Sequence, residues 1–131
     1  RLGACFNLNI HLIEPCGFNL EDPRFKRVAM DYSEISQIYK YDNFEAFLKK
    51  YKKFRIVLMT TKAEKLYHHF KFKKDDMLLF GRESAGVPET LHKTINNKIK
   101  IPMNKKARSL NVAISAAIVV SEALRQNNLL K

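Results

Sequence analysis

The sequence predicts an α/β fold, a mostly parallel sheet with helices on both faces. Two observations carry this reading. The runs with strand character, "NIHLIEP" (9–15), "FRIVLMTT" (54–61) and "DMLLFG" (76–81), are continuously apolar rather than alternating, as strands buried on both faces are. They also alternate with stretches of helical period, the pattern of helices laid over a parallel sheet. No internal repeat or low-complexity linker interrupts the 131 residues, so a single domain, 1–131, is expected. Ligands of such folds bind beyond the carboxyl ends of the strands.

The elements follow in order. "RLGACF" (1–6) reads as the tail of a helix, and the run at 9–15 is a strand stopped by Pro15. Residues 22–30 suit a helix, with Asp22 as N-cap and Pro23 at its first position. "ISQIY" (35–39) alternates as a strand does. At 42–53 Phe44, Phe47, Leu48 and Tyr51 fall on one helical face. Strands at 54–61 and 76–81 follow, then a helix at 88–95 opened by Pro88. A short strand at 98–103 is stopped by Pro102, and a last helix runs from about Ser109 to Gln126. Residues 112 to 120 of that helix are apolar all round, which predicts burial on more than one side and makes a dimer interface the economical explanation.

Composition narrows the partners. Apolar residues make up 46% of the chain, which excludes a disordered polymer. Twenty-four Lys and Arg against 13 Asp and Glu leave a formal charge of +11, the footprint of a protein that meets a polyanion, nucleic acid first. The longest apolar stretch, 112 to 124, contains Glu122 and falls short of the ~20 residues that a membrane-spanning helix needs. No membrane partner is therefore expected. Cys5 and Cys16 form no CxxC and have no His at zinc spacing. They are expected to be reduced, half-buried thiols of a cytoplasmic protein.

Three strand ends carry the residues of interest: "LMTTK" (58–62), "FGRESAGVP" (80–88) and "IPMNKKARSLN" (101–111). Gly81 and Gly86 have P-loop spacing, but Val87 and Pro88 stand where Lys and Ser or Thr are required, so that motif is excluded. Two readings of the glycines stay open: an ordinary strand-to-helix turn, or a backbone that approaches a flat ligand without a Cβ in the way. His11 is expected to be packed in its strand. His68, His69 and His92 have no paired carboxylates, and neither H-E-x-x-H nor G-x-S-x-G is present. Metal and covalent catalysis are thus not expected. Group transfer from an already activated donor needs neither, because the protein then supplies chiefly proximity and orientation. Basic clusters stand at 24–27, 49–55, 71–74 and 104–108. That at 49–55 reads as the solvated face and end of a helix, where cations suit the dipole.

"FGRESAGVPE" followed by "IPMNKKARSLNVAISAAIVVSEALRQ" resembles motifs two and three of the SPOUT (SpoU/TrmD) RNA methyltransferases. "RLGACF", "HLIEPCGF" and "KRVAMDY" are similar to the small, single-domain TrmL type, tRNA 2′-O-methyltransferases of the wobble nucleotide, position 34. The resemblance covers essentially the whole chain. It implies a C-terminal trefoil knot, a homodimer, S-adenosylmethionine as cofactor with S-adenosylhomocysteine as product, and the anticodon stem-loop of tRNA as partner.

Carried over position by position, the implied cofactor pocket is Met59, Thr60, Gly81, Glu83, Gly86, Ile101, Met103, Ser109, Leu110 and Asn111, with backbone groups making most of the bonds to adenine. Arg1 is implied as the catalytic arginine that closes motif one. The first strand and the rest of that motif are expected to be absent from this sequence. An arginine is a poor base, since its pKa exceeds about 12, so Arg1 is expected to clamp a phosphate and stabilise developing oxyanion charge. With the basic clusters, the expected RNA contacts are Arg1, Arg24, Arg27, Lys105 and Arg108. Some relatives carry an aromatic where this chain has Ser121. The alternatives are methylation of ribosomal RNA or of another tRNA position, and a non-catalytic RNA-binding protein on the same fold.

Overall fold

Among the described residues of the computed structural model, all strand pairing is parallel. The structure describes residues 2–14, 22–24, 26–27, 37–81, 87–107 and 110–130. The expected α/β fold with parallel sheets and helices is thus observed. It divides into two compact units, residues 1–52 and 53–131.

In the first unit, α1 (Leu2–Cys5) leads into β1 (Ile10–Ile13), which pairs with β2 (Ile38–Tyr41) in the register Ile10 to Ile38. Gly3 lets the helix sit against the strand: a Cβ there would meet Ile10 Cγ1 and Cδ1 at 2.7 Å. Residues 23–24 and 26–27 are helical. Asp22 caps them as predicted, its carboxylate accepting from the Arg24 N–H at 2.8 Å. Strand β2 lies later than the alternation at 35–39 suggested, while residues 35 and 36 fall outside the described ones. Helix α2 (Phe44–Lys50) is capped by Asn43, whose side chain accepts from the Ala46 N–H at 2.8 Å. It buries Phe47 and half-buries Phe44 and Leu48, the predicted face.

His11 is packed, as expected. Its ring stacks on Tyr39 and Tyr41, and Nδ1 lies 3.0 Å from the Tyr41 hydroxyl, which in turn lies 3.0 Å from that of Tyr51. Burial, then the nearby Lys50, lowers the His11 pKa. Burial, then the bond to Tyr51, pushes Tyr41 up to about 12. Cys5 departs from expectation: it is an exposed thiol, because it lies on the outer side of a one-turn helix whose inner residues are Gly3 and Ala4.

The second unit is a three-stranded sheet in the order β4-β3-β5, with β3 Ile56–Met59, β4 Met77–Phe80 and β5 Asn97–Ile99. A 3₁₀ turn spans Tyr67–His69, α3 spans Glu89–Thr94 and α4 spans Val112–Gln126. Central strand β3 buries Val57 and Leu58 completely, and α4 adds Val119 to the core formed with Phe70, Phe72, Ile99 and Ile101. Helix α4 starts three residues later than predicted. Its cap is Asn111, whose side chain accepts from the Ile114 N–H at 2.8 Å. One member of the basic cluster at 49–55 is not a solvated cation. Arg55 grips the nearly buried Asp76 with two bonds of 2.6 and 2.7 Å, donates to the Lys71 carbonyl and lies over the Phe70 ring.

The Glu122 carboxylate is held down to about 2 by bonds from Arg125, then from Gln126. A carboxylate whose folded pKa lies below its unfolded value contributes stability above the unfolded value and loses it as pH falls through the folded one. Here that window runs from an ordinary 4.5 down to about 2. Glu122→Gln is therefore expected to flatten the fall in stability across that window, read as urea midpoint against pH.

Candidate active site at the strand ends

Parallel pairing brings three strand ends to one edge of the second unit. Met59 sits level with Phe80 on one side and Ile99 on the other, so the residues that follow, Thr60, Gly81 and Lys100, leave the sheet together. Met59, Phe80, Met103 and Ile118 all pack against the core that holds Ile101. Five of the sequence-predicted pocket residues, Met59, Thr60, Gly81, Ile101 and Met103, are thus half-buried or buried at these three strand ends and the loops that follow them. Glu83, Gly86, Ser109, Arg108 and Arg1 lie outside the described residues. Leu110 is 37% exposed. Arg24, Arg27 and Lys105 are exposed, and Arg24 forks onto Asp22 at 3.0 Å.

The polar side chains at this edge are committed to holding the loops. Thr60 and His92 are both buried, at 9% and 8% exposure, with Thr60 Oγ1 2.7 Å from His92 Nε2. His92 Nδ1 lies 3.3 Å from the Pro88 carbonyl, which can only accept. Nδ1 therefore carries the proton, and Nε2 accepts from the Thr60 hydroxyl. The same hydroxyl accepts from the Lys62 N–H at 3.2 Å. Asn111 spends its side-chain oxygen on the helix cap. Sequence reasoning had not singled out His92 as part of this site. The signal was its place on the inner face of α3, between the half-buried Leu91 and the buried Ile95.

Backbone groups are what the edge has to offer a ligand. The β3–β5 ladder ends where the Thr60 N–H donates to the Ile99 carbonyl at 2.9 Å, and the segment at 65–67 takes both backbone groups of Lys100. Among the described residues no backbone hydrogen bond reaches Ile101 or Met103, although Ile101 is only 8% exposed. Unpaired backbone at a buried position calls for a partner. With Met59 and Met103 packed against the same core as Ile101, such groups fit a flat heterocycle with donors and acceptors on its edge. An adenosyl group has that chemistry.

Thr60→Val tests whether the Thr60–His92 bond holds the edge. The swap keeps shape but leaves His92 Nε2 buried and unpaired, at a cost of about 1–3 kcal/mol. Adding His92→Phe is expected to restore most of that, because both partners are then apolar. Urea denaturation of the two variants reads this directly.

Comparison with known proteins extends the geometry. The model of the SpoU rRNA Methylase family matches residues 1–121. The tRNA (cytidine(34)-2′-O)-methyltransferase of Ancylobacter novellus is 43% identical over 96% of this chain and 81% of its own length. A solved structure described as giving insights into 2-OH methylation of C/U34 on tRNA is 35% identical, covers 96% of this chain and 83% of its own, and superposes with a TM-score of 0.88. An AdoMet-bound rRNA methyltransferase from Sinorhizobium meliloti is 25% identical, with a TM-score of 0.85 over the whole of this chain and 50% of its own. With parallel strands that end together at Met59, Phe80 and Ile99 and a capped last helix, a match of this extent has one reading: the chain belongs to the SpoU rRNA methylase family.

Proposed function

We propose that this protein methylates the ribose 2′-hydroxyl of the wobble nucleotide, cytidine or uridine 34, of tRNA. The observation that carries the reading is similarity along nearly the whole chain to proteins named for that reaction, 43% identity in the instance above. The strand-end geometry supports it: among the described residues no backbone hydrogen bond reaches Ile101 or Met103, and Met59 and Met103 pack against the core that holds Ile101. S-adenosylmethionine, when bound, supplies a methyl group that is already activated. Met59, Gly81, Ile101 and Met103 hold it, joined by Glu83, Gly86, Ser109, Leu110 and Asn111. Thr60 acts through its bond to His92 by fixing the loop after β3. Arg1 clamps the phosphate beside the reacting ribose and stabilises oxyanion charge as it develops. Arg24, Arg27, Lys105 and Arg108 bind RNA. Alignment supplies much of the rate, as effective molarity can.

The reading takes 1–131 as one methyltransferase domain with a C-terminal trefoil knot, working as a homodimer. The chain itself buries Ser115, Val119, Val120 and Leu124 of α4, whereas Ile114 remains 48% exposed and Leu110 37%. These two apolar side chains are the ones a second copy would cover. Sedimentation at micromolar concentration is expected to return a dimer, and a monomer would remove this part of the reading.

Transfer of labelled methyl from S-adenosylmethionine to purified tRNA tests the function. Label is expected in tRNA and, after nuclease mapping, at nucleotide 34. Saturable cofactor binding by calorimetry without any transfer would favour a binding protein on an enzyme's fold.

A further inference from the structure

We propose that a basic cleft beside the strand ends is a second RNA-binding site, one that holds phosphates away from the reacting ribose. The inference rests on RNA being the substrate. The cleft has a volume of about 600 Å³ and lies between the turn at 62–65, helix α3 and the start of β5. Among the described residues, none of the expected cofactor pocket lines it. Ala63, Phe70 and His92, all buried, form its floor. Its walls are fixed from behind by the bridge of Leu66 to Lys100 and by the Lys100 N–H, which donates to the Lys65 carbonyl at 2.9 Å.

Four lysines line the cleft: Lys62, Lys65, Lys93 and Lys98. Two are spent. Lys62 pairs with Glu89 at 2.9 Å, and Lys98 Nζ donates to the His92 carbonyl at 2.5 Å. Lys65 and Lys93 are exposed and, among the described residues, have no ion-pair partner. Among the described lining residues only Glu64 and Glu89 oppose the four cations, so that lining is net positive. Asn96 and Asn97 add amide donors and acceptors. Ammonium groups on flexible stems act on phosphate as point charges, without the planar demands of a guanidinium. Lys93 lies near enough to Glu89 to help lower its pKa, although Glu89 is paired to Lys62, and an open cleft of this size with two exposed ammonium groups outside any ion pair among the described residues suits a run of sugar–phosphate backbone. Its rim, through Lys62 and the Thr60–His92 bond, is continuous with the loop after β3, so one RNA strand can reach both places.

The test is tRNA binding by the full chain as a function of salt. Lys65→Ala/Lys93→Ala is expected to weaken binding and lower the slope of log K against log salt by about 1.4 to 1.8, the yield of two phosphate contacts. Cofactor affinity and the methyl-transfer rate at saturating tRNA are expected to stay at the parent's level. The control is Lys73→Ala/Lys74→Ala, which removes the same charge from two exposed lysines outside the cleft and is expected to change the slope little. An unchanged slope in the cleft variant, with the parent binding normally, overturns the site. An equal fall in the control overturns it too, since the effect would then belong to the field of the whole molecule. A parent that binds no tRNA at any salt sinks the proposed function and the cleft with it.

Discussion

Arg1→Ala is expected to lower the rate of methyl transfer at saturating tRNA and cofactor by on the order of 10² or more. That is the loss typical of removing one donor aimed at developing negative charge. On the proposed role the contact strengthens in the transition state, so the deficit is expected to stay in kcat and not to be recovered by adding tRNA. Cofactor affinity is expected to be unchanged, because the proposed contact is to phosphate. Arg1→Lys separates charge from geometry. A planar fork that grips phosphate with two parallel bonds cannot be replaced by an ammonium group, so the lysine variant should lose most of the activity. Near-parental activity in it would reduce the role of Arg1 to charge alone.

Leu58→Ala is expected to cost about 2–5 kcal/mol of stability, because the cavity left in a close-packed core relaxes only partly. Leu58 is 0% exposed at the middle of the central strand, level with Leu79 on one neighbour and Lys98 on the other. The strand carries Met59 and Thr60 at its end, so the same change should loosen the candidate site. A lower urea midpoint with unchanged slope would mark a stability effect without a change in the surface exposed. A loss below 1 kcal/mol would mean that the sheet is not packed on both faces there.

Strands β3 and β4 were legible because they are apolar on both faces and each is followed by a residue that stops it. Thr60 and Gly81 directly follow β3 and β4 as expected, whereas β5 ends at Ile99, three residues before Pro102, so the strand expected at 98–103 is shorter and earlier. Strand β2 was harder to place. In "ISQIYKY" only Tyr39, Lys40 and Tyr41 alternate strictly, one step out of phase with Ile35 and Ile38, and Tyr39 and Tyr41, not the exposed Ile38, are the half-buried residues of β2. The start of α4 was hidden by Leu110, whose apolar side chain continues the helical pattern one turn too early. Asn111 was the available cap signal.

The candidate site divides in the same way. Which loops form it follows from strand ends, a local property of the chain. What holds those loops does not, because the partners are distant in sequence: Thr60 meets His92, and Arg55 meets Asp76. A lone histidine in a short helix and an arginine among lysines carry no mark of such partners.

The central claim is the identity of the modified nucleotide. Liquid chromatography and mass spectrometry of nucleosides from tRNA tests it most directly, comparing a strain that lacks this protein with one to which it is restored. The account predicts loss of 2′-O-methylcytidine or 2′-O-methyluridine from position 34 of particular tRNAs, and its return on complementation. Unaltered tRNA, with a 2′-O-methyl group missing from ribosomal RNA instead, would contradict it.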